Sequence, residues 1–226
     1  TYPCILRVSK KEPHLKPLIT HVLDLNFSSH SRFVSEHEKI ADQTKFEDDE
    51  WTLTGNESQK ILDKIAKDSI QLDQYVNNDI FRGIITGINK AFIIDPKLKN
   101  KLIYEDPKSQ KLIKLFAIGR DIKRYRPIDT QQYLIFIPSG WTNLHTTKNA
   151  WGWFSAEYPA IANHLLQFEQ KAKKRWDQGD YWWELRSCSY YEEFEKPKIT
   201  WGNLAITPKF TIDYEGYYIN APSVII

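Results

Sequence analysis

Apolar residues fall in short runs, sparse over the first fifty positions and denser from about residue 80 onward. A first strand is expected over residues 4–8, followed by a polar stretch to about Asp49 that carries His14, His21, His30 and His37. Thr54-Gly55-Asn56-Glu57 has capping-box spacing, in which a hydroxyl and a carboxylate three residues apart satisfy the free N–H groups of a helix start. Ile61, Leu62, Ile65, Leu72 and Val76 then recur near helical period, predicting a helix of about twenty residues that links a preceding region to the rest of the chain. From Phe81 the pattern changes to apolar runs punctuated by Gly and Pro, and residues 83–87, 91–96 and 133–138 are expected as strands.

Between these strands, residues 110–116 suit a short helix, closed by the polar turn Gly119-Arg120-Asp121-Ile122-Lys123-Arg124-Tyr125. A longer helix is expected to start at Tyr158-Pro159, since proline is tolerated in a first turn, with Ile161, Leu165, Phe168, Ala172 and Trp176 along one face. Lys171, Lys173, Lys174 and Arg175 crowd its last turn, favourably for the helix dipole, and Gly179 can end it. Residues 181–186, 198–201 and 217–219 have strand character, and adjacent Trp182 and Trp183 would face opposite sides of such a strand. The fold class expected is α+β: a mixed, largely antiparallel sheet with packed helices. The layout is residues 1–55 as the end of a preceding region and linker, 56–80 as a connector helix and 81–226 as one domain.

Composition narrows the class without naming a function. The 226 residues hold 31 Lys+Arg, 29 Asp+Glu, two Cys and no Met, with 41% hydrophobic and 14% aromatic residues. No run approaches the roughly 18 to 20 apolar residues of a membrane span, and no secretory signal opens the chain. Cys4 and Cys188 alone cannot build a disulfide framework or a Cys-rich zinc site, so a cytoplasmic location and no membrane partner are expected. The missing methionine and the apolar final residues suggest a fragment of a longer protein.

The net charge of +2 conceals a segregation. Residues 36–73 carry eleven acids against five Lys, whereas residues 82–126 carry twelve bases against four acids. Local fields rather than totals attract polyanions, although a Lys-rich stretch is also an ordinary solvated face.

Catalytic signatures are missing: no phosphate loop, no Gly-x-Gly-x-x-Gly turn, no His-Glu-x-x-His, no Gly-x-Ser-x-Gly elbow and no Asn/Asp-Pro-Pro-Tyr/Phe tetrapeptide. The His residues lie too far apart for a structural zinc site, and acidic neighbours such as Glu192-Glu193 read as solvated. No catalytic residue, metal ligand or cofactor is therefore assigned in this chain. There remains a basic segment interleaved with rings and amides, suited to nucleic acid. Arg120, Lys123 and Arg124 stand in a polar turn fit to grip phosphates, unless Asp121 takes Arg120 into a structural ion pair. Thr86, Asn89 and Lys90, beside Gly83 and Gly87, are candidates for backbone or base-edge contacts, and Arg82 heads the same segment. Ile122 and Tyr125 are expected in the core.

In order, the motifs Arg82-Gly83-Ile84-Ile85-Thr86-Gly87-Ile88-Asn89-Lys90, Gly119-Arg120-Asp121-Ile122-Lys123-Arg124-Tyr125, Tyr158-Pro159-Ala160-Ile161-Ala162-Asn163-His164-Leu165, Trp182-Trp183-Glu184-Leu185-Arg186 and Phe194-Glu195-Lys196-Pro197-Lys198-Ile199 with Tyr217-Tyr218-Ile219-Asn220 resemble the TaqI-like specificity domain. That domain is the C-terminal target-recognition region of adenine-specific DNA methyltransferases and of fused type IIG restriction-modification enzymes. The resemblance spans roughly residues 61–226 and implies that residues 1–55 end a methyltransferase region. It also implies double-stranded DNA and the catalytic methyltransferase domain of the same polypeptide as partners. The parent enzyme would use S-adenosylmethionine, and Mg2+ if a nuclease is fused to it; none of its catalytic residues maps onto this chain. Two alternatives are a contribution of this piece to the chemistry itself, and a partner-docking or non-specific DNA-binding domain of a phage-defence methyltransferase.

Overall fold

The computed structural model describes residues 5–7, 10, 16–22, 24–41, 43, 46, 51, 56–146, 148–203 and 207–226. The chain divides into two compact units, Thr1–Leu72 and Asp73–Ile226.

In the first unit, strands β1 (Leu18–Ile19) and β2 (Lys39–Ile40) pair antiparallel on either side of helix α1 (His30–His37) in the sequence. Ser29 caps α1 through its hydroxyl, and the rings of Phe27, Phe33 and His37 stack in series at 4.7 and 4.2 Å. Helix α2 (Asn56–Lys67) comes next. The single helix expected through Val76 is two pieces: the Ser69 hydroxyl donates to the Ile65 carbonyl (2.5 Å), α2 stops, and α3 (Leu72–Tyr75) is a separate turn. A serine that bonds the backbone four residues back competes with helix continuation. Ile61 and Ile65 are exposed, so the apolar stripe of α2 is not core. Of the strand expected over 4–8, residues 5–7 have no regular structure and the rest lie outside the described residues, as do Thr54 and Gly55 of the capping box.

The second unit is α+β, with helices packed on mixed, largely antiparallel sheets. Its elements run β3 (Phe81–Arg82), α4 (Asn89–Phe92), β4 (Ile93–Ile94), α5 (Pro96–Glu105), a 3-10 turn (Pro107–Leu112), β5 (Ile113–Ala117), β6 (Gln132–Ile135), α6 (Trp141–His145), α7 (Ala150–Glu157), α8 (Pro159–Leu166) and α9 (Glu169–Ala172). A second 3-10 turn (Tyr191–Glu195) then leads to β7 (Lys198–Trp201), β8 (Phe210–Asp213), β9 (Tyr218–Ile219) and β10 (Val224–Ile225). One sheet has the order β3-β10-β7-β8, all antiparallel. The other is β4-β6-β5-β9, in which only the β5-β9 pairing is parallel. Phe92, Phe116, Leu134, Phe154, Ile161 and Tyr218 anchor a continuous core between these elements.

Local chemistry explains where several elements begin. Asp95 caps α5 by accepting the Leu98 N–H (2.7 Å) with Pro96 in the first turn, and Asp106 with Pro107 repeats the device for the 3-10 turn. Pro159 opens α8 as its sequence indicates.

Five expectations are corrected. Residues 83–87 form no strand, and only Ile84 makes an isolated bridge, to Asn220. Ala91 and Phe92 are helical, leaving only Ile93–Ile94 as strand. Residues 113–116 are not helix but most of β5, a strand with a neighbour on each side, and such an apolar run carries no alternation to distinguish it from a helix. The helix expected past Leu166 ends there, α9 is a separate turn, and Trp176 projects into solvent. Residues 181–186 form turns rather than a strand, which lets Trp182 and Trp183 both enter the core, each within 5.0 Å of the Trp151 ring. Glu184 between them and α6 is fully buried, its carboxylate accepting the Gly140 and Thr142 N–H groups at 3.0 Å and so capping α6.

Candidate nucleic-acid interface

The segment after β3 is fastened to the turn after β9. Gly83 N–H donates to the Ser223 carbonyl (2.8 Å), Ile84 N–H to the Ile219 carbonyl (2.7 Å), and Ala221 N–H returns to the Ile84 carbonyl (3.0 Å). A Cβ on Gly83 would lie 2.5 Å from the Asn220 carbonyl carbon, so glycine here permits backbone contact rather than flexibility. Gly87 has φ +68, a left-handed conformation that turns the chain toward α4.

This path builds a cleft of about 510 Å3 whose wall includes Thr86, Asn89, Lys90, Phe168, Lys171 and Asn220. Thr86 is 1% exposed and its hydroxyl donates to Asn89 Oδ1 (2.6 Å), so it orients Asn89 instead of presenting a group of its own. Asn89 and Lys90 are exposed on the first turn of α4.

Two buried basic side chains hold the cleft in place. The Arg175 guanidinium donates to the carbonyls of Thr86 (2.5 Å), Trp182 (2.9 Å) and Glu184, and lies over the Phe92 ring at 4.7 Å. Burial pulls its pKa down to about 10, partly offset by Asp177, and at neutral pH it remains charged. His164 on α8 bonds the Ala91 carbonyl of α4 (2.9 Å), and burial lowers its pKa while that bond opposes the shift. The neutral ring therefore carries its proton on Nε2.

Arg120, Lys123 and Arg124 are all exposed. Asp121 does not pair with Arg120; its carboxylate accepts the Ile118 N–H (3.0 Å) and closes the turn. Lys123 Nζ donates to the Arg120 carbonyl (2.6 Å). Ile122 is core as expected, but Tyr125 is 78% exposed, with φ 54 and the Arg124 guanidinium 5.0 Å from its ring centre. This turn and the 83–90 segment flank the same element: Asn220 N–H donates to Ala117, and Gly119 faces the Ser223 hydroxyl.

Arg82 does not line this cleft but a second one of about 310 Å3, with Arg186, Cys188, Tyr190 and Tyr191. Burial pushes the Cys188 thiol up, which leaves it protonated and a poor nucleophile at neutral pH. Of the acidic neighbours Glu192-Glu193, Glu193 is engaged in an ion pair with Lys196 (2.7 Å), and nearby Glu195 pairs with Lys114 (2.7 Å).

Lys171 lines the cleft and Trp176 follows Arg175, which holds its wall; the sequence places the first as a base at a helix end, structural or DNA-binding, and the second on an apolar helix face. The signal was present in Lys171-Ala172-Lys173-Lys174-Arg175-Trp176, a basic run ending in an aromatic ring. Helical period assigned that ring to the core. Among the described residues no group of three or more His, Cys, Asp and Glu is placed to hold a metal, and no helix is long and apolar enough to cross a membrane. No family model matches the chain, and no curated protein matches it.

Proposed function

We propose that this chain is a DNA-recognition module, and that it serves as the target-recognition region of a site-specific adenine DNA methyltransferase of the restriction-modification kind. The carrying observation is a set of exposed cations around the cleft and the Gly119–Tyr125 turn that have no carboxylate partner among the described residues. Lys101, Lys108, Lys114, Lys173, Arg186 and Lys196 each lie within 4.0 Å of a carboxylate. Among the described residues no carboxylate lies within that distance of Lys90, Arg120, Lys123, Arg124 or Lys171, although the protein has nearly as many acids as bases. Unpaired cations beside an amide-bearing cleft have the composition of a phosphate-and-base contact surface. In this reading Arg120, Lys123 and Arg124 grip phosphates, Asn89 and Lys90 face the grooves, and methyl transfer belongs to the parent's catalytic domain with its S-adenosylmethionine.

The reading is tested by selecting the chain on a randomised duplex library at low salt and titrating the best binder with salt. Enrichment of a short motif is the expected result. Lys123→Ala with Arg124→Ala should weaken all duplexes alike and lower the salt slope by about one unit per lost phosphate contact. An unchanged slope removes those residues from the interface.

A second reading, docking against another protein surface such as the catalytic domain, is favoured by β7 and β8. Their Ile199, Phe210 and Ile212 side chains point outward and are exposed. Failure to retain any duplex would favour it.

A further inference from the structure

Trp176 is 98% exposed, which makes it the most exposed of the large apolar side chains among the described residues. An indole normally buries most of its surface, so one left wholly in water is costly unless something covers it. The residues on both sides of this ring are held. Arg175 is locked on three carbonyls, and Asp177 pairs with Arg186 at 3.3 Å. The Asp177 carbonyl also abuts Gly87, where an added Cβ would approach it to 3.2 Å. The ring is thus presented from a fixed turn packed on Gly87, which stands two residues before Asn89 in the wall of the cleft.

The surroundings decide what fits. Lys171 lines the cleft, Lys174 is exposed without a carboxylate partner among the described residues, and Lys173 is held by Glu169 at 2.6 Å. Asp177 and Gln178 come after the ring in sequence. A protein partner that buried Trp176 would ordinarily find further apolar groups around it, as at a binding hot spot. The chain around the ring carries Lys171, Lys174 and Arg175, and its one adjacent acid, Asp177, is already paired with Arg186, a combination in which a base stacks on the aromatic face while adjacent phosphates meet lysines.

We propose that Trp176 is a stacking platform for a nucleobase whose face is open, either in a single strand or at an extrahelical position of a duplex, with Lys171 and Lys174 on the flanking phosphates. This rests on the DNA-binding reading above and adds a base contact outside the residues assigned there.

The test compares the chain with Trp176→Ala and Trp176→Phe. The probes are a 12-mer carrying one 2-aminopurine, presented as a single strand, as a duplex with an abasic site opposite the reporter, and as a fully paired duplex. The wild type should quench the reporter in at least one of the open-base probes. Trp176→Ala should lose roughly 5- to 100-fold in affinity for that probe and abolish the quench, with Trp176→Phe keeping most of both. Loss on the single strand alone places the base in an unpaired strand, and loss on the abasic duplex places it extrahelically; the fully paired duplex should change least. Thermal midpoints of all three proteins should coincide, because the ring makes no packing contribution. Undiminished binding and quenching by Trp176→Ala would overturn the proposal while leaving the DNA reading intact. Failure of the wild type to bind any probe would overturn both.

Discussion

His164 links the candidate cleft to the pH of the medium. Its ring is buried against the Ala91 carbonyl, and burial holds its pKa below the ordinary 6.5. The unfolded chain therefore binds a proton that the folded chain refuses, in the window from 6.5 downward to the lowered folded value. Stability rises with pH through that window, is fully present above it, and is lost as pH falls. The urea midpoint should be lower at pH 5.5 than at pH 7.5, and His164→Gln, which keeps a donor for Ala91 but does not titrate, should flatten the difference. An equal pH dependence in both proteins would assign it to other groups. The same residue scale shows what the sequence concealed. Lys171, Lys173, Lys174 and Arg175 look alike as a cationic helix end, yet one lines the cleft, one is ion-paired, one stands in solvent and one is buried on carbonyls. Charge type was legible; the direction each side chain takes depends on α8 ending at Leu166, which no local breaker announces.

The β7-β8 pair is an element built against the usual pattern. Its alternation runs polar-in and apolar-out: Lys198, Thr200, Thr211 and Asp213 are buried, while Ile199, Phe210 and Ile212 face outward. Period-two patterning alone would seat the isoleucines inside. The inversion is fixed by the Lys198–Asp213 ion pair at 2.5 Å, both side chains 2% exposed. Asp213 also accepts the Tyr217 (2.8 Å) and Glu215 (2.9 Å) N–H groups, and Lys198 donates to the Phe194 carbonyl (2.5 Å). With its lone pairs and protons so used, the pair meets the condition under which a buried charge is tolerated. Lys198→Met should cost about 3–5 kcal/mol by stranding a buried carboxylate. Adding Asp213→Asn, which keeps an acceptor for the backbone and removes the charge, should recover much of that loss in urea unfolding. No recovery would show that lost packing, not the uncompensated charge, sets the cost. At this scale the strand at 198–201 could be read from its apolar β-branched and aromatic run, those expected over 133–138 and 217–219 are found shorter as β6 and β9, and Pro159 marked a helix start. Helices α5, α6 and α7 were not anticipated: the Asp95-Pro96 start of α5 falls at the end of the strand expected over 91–96, α6 is capped by the distant Glu184, and Asn149 lies among other turn residues.

At the scale of the whole molecule, the α+β class and the break in texture near Phe81 were visible from patterning, since each arises from local runs. The closure of the second unit was not, because it depends on contacts distant in sequence. The 83–90 segment, the 118–126 turn and the final residues come together around Asn220 to Ser223 through backbone hydrogen bonds that no side chain advertises. Gly83→Ala tests that closure. With a Cβ 2.5 Å from the Asn220 carbon, it should destabilise the fold by about 1–3 kcal/mol and, under the proposed function, weaken DNA retention with it. Unchanged stability would mean that the two strips separate readily.

The width of that contact sets how a module of this kind is to be redesigned. Because the strip bearing Asn89 and Lys90 touches the C-terminal turn backbone to backbone, it has no slack to be lengthened, shortened or re-aimed on its own. Under the DNA-recognition function proposed above, new specificity would have to come from exchanging side chains on a fixed track, or from transplanting residues 82–90 and 217–226 as a matched pair. A graft that carries one strip without the other brings an untailored seam into the wall of the cleft.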